Sequence, residues 1–139
     1  MTMSMFKIFD TAASGMSAQS LRLNLVASNM ANADAVSSSI EQTYRSRQPV
    51  FKTLLDQADP DAAASGVRMA GVVESQAPLV QEYAPDHPLA DDQGYIFRPN
   101  VNLVEEMANM MSASRSYQSN VEVANAAKQL LIATIRMGQ

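Results

Sequence analysis

The side chains best equipped for chemistry in this 139-residue chain are few and scattered. Its single histidine, His87, follows Asp86, with Asp91 and Asp92 close behind. As a metal site this cluster matches no ligand spacing, and Pro85 and Pro88 read instead as a stiff turn. Ser112, Ser114 and Lys128 form no motif that activates a nucleophile. Glu105 and Glu106 are adjacent, so on a helix they point in different directions and cannot work as a catalytic pair. Their expected place is the first turn of a helix, where negative charge offsets the dipole. There is no cysteine, hence no disulfide, thiolate metal site or cysteine nucleophile. No glycine-rich phosphate loop occurs. The chain is therefore expected to hold no catalytic residue, metal or cofactor. A formal net charge of −4 disfavours a nucleic-acid partner. Nothing calls for a small-molecule substrate.

With no chemistry to position, the elements themselves become the message. Val101 to Arg136 holds no Gly and no Pro, with Pro99 just before it and Gly138 just after it. That punctuation predicts one long helix, on the order of 50 Å at about 1.5 Å per residue. Asn102 followed by Glu105 fits an N-cap with a carboxylate three residues on, and Asn100 is a rival cap. The apolar pattern is a heptad. One row is Leu103, Met110, Tyr117, Ala124 and Leu131; the other is Met107, Ser114, Val121, Lys128 and Ile135. This is the spacing of a seam that faces another helix, and an ordinary bundle helix would show it too.

The other end of the chain carries a matching seam. Phe9, Met16, Leu23 and Met30 recur every seven residues, with Met5, Ala12, Gln19, Val26 and Ala33 beside them. A second helix is expected over about Lys7 to Ala33, paired with the first in either direction. It is the weaker former, because Gly15, the serines and Asn24, Asn29 and Asn32 all lower helix propensity. It depends on burial against a partner. Asn29 to Asp34 reads as an exit turn, with Asn suited to a left-handed cap.

Between the arms the period changes. Residues 34–43 form a polar linker. Tyr44 to Phe51 is extended, with Pro49 disfavouring a central strand. Asp56 to Gly66 is a loop. Val67–Glu74, Leu79–Tyr83 and Tyr95–Arg98 are short strands, with a turn-rich loop over Pro85–Gly94. Asp56 to Phe97 carries eight carboxylates against one cation, Arg68. That suits an outer surface over buried arms, and equally a merely solvated loop region. The expected fold is mainly α with a small β insertion. It divides into an N-terminal arm (1–34), a linker and β-rich middle (35–99) and a C-terminal arm (100–139). No secretory signal is visible, because the apolar run around Met5–Phe9 stops at Asp10. No stretch has the ~18 apolar residues of a membrane span.

Several motifs are familiar together. Ala27-Ser28-Asn29-Met30-Ala31-Asn32-Ala33-Asp34 resembles the N-terminal signature of the bacterial flagellar rod and hook proteins. Gly94-Tyr95 through Pro99-Asn100-Val101, then Glu105-Glu106-Met107, Ser112 to Gln118 and Asn120 to Val123, resembles their C-terminal signature. Pro88-Leu89-Ala90-Asp91, the short chain and the Gly138-Gln139 end point to the proximal-rod members. Asn102 stands where Asp is more usual, and Ser119 where Ala is usual; both departures are mild.

The resemblance implies a structural subunit of the flagellar rod in the basal body, crossing the periplasm. The terminal helices would pair as a coiled coil, with the middle outside. Export would use the flagellar type III apparatus, without a cleaved signal. Implied partners are copies of itself, FlgB- and FlgF-type rod proteins and a FliE-type adaptor. Interface residues on the seams would be Phe9, Met16, Leu23, Val26, Met30, Leu103, Met107, Met110, Tyr117, Val121, Leu131 and Ile135. The family motif residues carried over are Asn29, Ala31, Asn32, Arg115, Tyr117 and Asn120. Two other classes fit the residues alone: a soluble helical adaptor or export chaperone, and a small enzyme built around His87.

Overall fold

The structure, a computed structural model, describes residues 2–54 and 66–138. Helix α1 runs Thr2–Ala31 and helix α2 runs Leu103–Met137. Between them lie four strands: β1 (Arg47–Leu54), β2 (Gly66–Glu74), β3 (Val80–Tyr83) and β4 (Tyr95–Arg98). The chain is thus mainly helical with a small antiparallel β region, as expected. α1 starts at Thr2 rather than Lys7 and ends before the Asn32–Asp34 turn. The proposed loop over Asp56–Gly66 lies, apart from Gly66, outside the described residues.

α2 begins where its cap dictates. The Asn102 side-chain oxygen accepts from the backbone N–H groups of Val104 and Glu105, at 3.1 and 3.3 Å. This satisfies two donors that the first turn leaves without a partner. At its far end the Gly138 N–H donates to the Thr134 and Ile135 carbonyls, without a left-handed backbone. The left-handed cap expected at the end of α1 is absent. Among the described residues no non-glycine has positive φ. Instead Asn32 donates its amide to the Ser28 carbonyl at 2.8 Å, and Asn29 is used elsewhere.

The two helices pack antiparallel. Arg22 meets Asn109, Gly15 meets Asn120, and Met5 and Phe9 share a cleft with Ala127 and Leu131. As α1 rises in number, its α2 partners fall. The contact is made largely by small side chains: Ala12 and Ala18 on α1, Ala113, Ala124 and Ala127 on α2, all buried. Small residues let helix axes approach closely. A Cβ added at Gly15 would lie 2.7 Å from the Asn120 amide nitrogen.

The strands form two separate two-stranded sheets, β1–β2 and β3–β4. In the first, Pro49 pairs with Val72. Both strands of such a ribbon are edges, so the missing N–H is tolerated. The register shifts at Val50/Phe51, leaving Ala70 as an extra residue opposite them. In the second, the turn between β3 and β4 is held by Asp91, whose carboxylate accepts from the Gln93 and Tyr95 N–H groups at 2.9 and 2.8 Å. Gly94 closes that turn at φ +85°, a left-handed conformation that favours glycine. The other edge of β4 bridges Ser37, which pins the polar linker. Ile96 and Phe97 on β4 are the buried apolar residues of the β region.

Candidate assembly interface

Two surfaces stand out, a polar junction and an open apolar face. The junction is built where α1 ends, α2 begins and the linker enters β1. Asn29, on the last turns of α1, is 1% exposed. Its side-chain oxygen accepts from the Tyr44 hydroxyl at 2.8 Å and the Arg47 N–H at 2.9 Å. Its amide donates to the Arg47 carbonyl at 2.8 Å and reaches the Ser46 hydroxyl at 3.4 Å. The amide of one helical residue thereby takes the place of a strand partner for Arg47. Asn100 bridges the two ends of the ribbon, one residue before Arg47. It accepts from the Ser46 N–H at 2.8 Å and donates to the Ala77 carbonyl at 2.9 Å. So Asn100 is not the helix cap; it clamps the base of the β1–β2 ribbon to the start of α2. Asn29 is buried and Asn100 half-buried, and both amides are paired on both ends, as polar groups withdrawn from water require.

Glu106 completes the junction. The expectation placed it with Glu105 in the first turn of the helix, and both lie there. Glu105 is exposed, but Glu106 is 3% exposed and turned inward. Adjacent residues diverge on a helix, so one of the two had to choose the other face. Burial is the main force raising the Glu106 pKa, and Glu105 adds to it; Asn29 and Arg22 act in the opposite direction.

The predicted seam residues divide. Val26 is buried, and Met16, Leu23, Met30, Met110, Val121 and Leu131 are half-buried within the chain. Phe9, Leu103, Met107, Tyr117 and Ile135 are exposed. Of the family-motif residues, Asn29 is buried, Asn32 and Asn120 are half-buried, and Ala31, Arg115 and Tyr117 are exposed. The row of α2 that meets α1 runs through Glu106, Ala113, Asn120 and Ala127, one position before the Met107–Ile135 row. Reading for apolar heptads missed it, because its members are small or polar. Its only sequence signal is their seven-residue spacing. Tyr44, Ser46 and Asn100 were missed as well, their partners lying on other elements.

What remains outside is strongly apolar. Val104 is 75% exposed, Met111 59%, Leu130 60% and Met137 82%, with Phe6 at 59% on α1. A monomeric domain rarely leaves such a series open. At the free end of the helix pair an apolar cleft of about 240 Å³ lies between Met5, Phe6, Phe9 and Leu131. His87 lies in the turn between β3 and β4. Its Nδ1 accepts from the Leu89 N–H within the turn. Among the described residues no group of three potential metal ligands converges. No helix among them is long and apolar enough to cross a membrane.

Comparison with known proteins agrees with both signatures. Residues 9–37 match the family described as flagella basal body rod protein, and residues 92–137 match the flagellar basal body rod FlgEFG protein C-terminal family. The flagellar basal-body rod protein FlgC of Escherichia coli O157:H7 is 52% identical over 137 residues, covering 99% of this chain and 100% of that protein. Its counterpart in Salmonella typhimurium is 50% identical over the same span. The FlgC of Borreliella burgdorferi is 34% identical, covering 92% of this chain and 93% of its own length. The chain belongs to the FlgC family of flagellar basal-body rod proteins, structural subunits of the rod and not enzymes.

Proposed function

We propose that this subunit builds the proximal rod through its helix pair, with α1 and α2 continuing as a coiled coil into contacts with neighbouring subunits. In this reading residues 1–34 and 100–139 form the arms of the wall, and residues 35–99 its outer decoration. The neighbours are further copies, FlgB- and FlgF-type rod proteins and a FliE-type adaptor. The chain reaches the periplasm through the flagellar type III apparatus without a cleaved signal.

One observation carries the reading. Large apolar side chains stay open along both helices, Val104 at 75%, Met111 at 59%, Leu130 at 60% and Phe6 at 59%, a series that a monomeric domain rarely leaves uncovered. The seam residues left open in the single chain (Phe9, Leu103, Met107, Tyr117, Ile135) are the ones a neighbour would cover. A drive shaft needs stiffness and many repeated contacts, and a buried Leu or Ile contributes roughly 1.5–3 kcal/mol to each.

An adaptor or export chaperone would share the heptads. It would be absent from the rod itself. Purified basal bodies probed for this chain separate the two: presence in the rod fraction is expected. Recovery only in the cytoplasm, as a small defined oligomer, would remove the rod reading.

A further inference from the structure

Glu106 sits where α1, α2 and β1 converge, and it lacks what a buried charge needs. One of its carboxyl oxygens has no hydrogen-bond partner among the described residues. The groups around it come from three elements. α1 supplies Asn29 and Arg22, α2 supplies Glu105 and Asn109, and β1 supplies Arg47, which lines the same 310 Å³ cleft. Neither cation is paired with it. Arg22 donates to Asn109 at 3.2 Å, and Arg47 pairs with Glu74 at 3.4 Å. The Asn29 amide, which also donates to the Arg47 carbonyl, is the one hydrogen-bonding side chain that favours the charged form, and burial outweighs it. A carboxylate held there loses its water without gaining a counter-ion, whereas a neutral carboxyl loses far less.

We propose that Glu106 is a proton-binding site that latches the helix pair: closing the start of α2 onto Asn29 and β1 takes up one proton from solvent. The direction of its pKa agrees, raised first by burial and then by Glu105. The sign follows from linkage. A carboxyl whose folded pKa lies above its unfolded value stabilises fully below the unfolded value. That contribution is lost as pH rises through the folded value. The pair therefore closes more firmly as pH falls through the raised folded pKa. If, as proposed above, rod contacts require the closed pair, assembly inherits the same dependence; the latch itself is a property of the single chain.

The test uses the full-length purified chain, between about pH 7.5 and about pH 5.5, above the ordinary carboxylate range. Far-UV helicity and the urea midpoint are read for the wild type, Glu106→Gln and, as control, Glu122→Gln on the exposed face. The wild type and the control are expected to close several-fold more favourably at the lower pH. Glu106→Gln is expected to be insensitive, and at neutral pH to match the acid wild type. His87 is present in all three, so the difference isolates Glu106. Side-chain carboxyl carbon NMR of the wild type gives a second reading. A Glu106 signal titrating above every other glutamate supports the site. An ordinary midpoint, or equal pH slopes for wild type and Glu106→Gln, would overturn it.

Discussion

The two ends of the helix pair obey opposite rules. At the junction end, polar side chains are buried or half-buried and nearly all are satisfied within the chain: Asn29 and Asn100 spend their hydrogen bonds on the segments that flank and enter the β1–β2 ribbon. At the free end, Phe6, Phe9, Leu130, Ile135 and Met137 lie open to solvent. The junction is thus self-sufficient and specific in geometry. The free end is sticky and unfinished. A subunit that must polymerise gains from this division. One end sets the angle at which the helices leave the β region, and the other supplies contact area to whatever comes next.

The largest effect should come from charging the seam between the two ends. Val121 is half-buried on the row of Met107 and Ile135. Val121→Asp removes roughly 1–2 kcal/mol of apolar burial. In a dry contact the unpaired carboxylate adds several kcal/mol more. The defect repeats in every copy, so cells should be non-motile while still exporting the mutant subunit. Glu122→Gln, one position along and exposed, should swim normally. Complete rods from Val121→Asp would mean that this row faces no dry contact.

Next comes the junction itself. Asn29→Ala strands the Arg47 N–H and the Arg47 carbonyl, while the Tyr44 hydroxyl keeps Ser28 at 3.3 Å. At about 1 kcal/mol for each part-buried group left unpaired, the loss should reach roughly 2 kcal/mol. Amide exchange at Arg47 should accelerate by at least an order of magnitude, with little change near Phe9. Equal acceleration at both ends would erase the contrast drawn here. The smallest effect belongs to a purely local feature. Asn102→Ala removes the cap of α2 and should cost about 1 kcal/mol. Thermal unfolding should show a modest drop; a loss as large as that of Asn29→Ala would show that the cap is coupled to the junction.

Much of this fold is local and was therefore readable. An uninterrupted run between Pro99 and Gly138, with Asn102 placed to accept two N–H groups, commits α2 whatever surrounds it. The strand positions followed from alternation and turn residues, and all four fall within a few residues of expectation. The sequence also determined, through large side chains at seven-residue spacing, that both helices would have apolar faces. Tertiary structure decided which face goes inward. Close antiparallel approach selects the narrow side of α2, through Ala113 and Ala127, and leaves Met107 and Ile135 outside. A hydrophobicity pattern ranks side chains by size and polarity, whereas helix contact at short range is limited by steric bulk. The junction was beyond local reading for a different reason. Asn29 finds Tyr44 across 15 positions, and Ser46 finds Asn100 across 54. No pattern of spacing within one element encodes those pairings. Only the folded chain brings together buried polar groups, each of which must find a partner because water is gone.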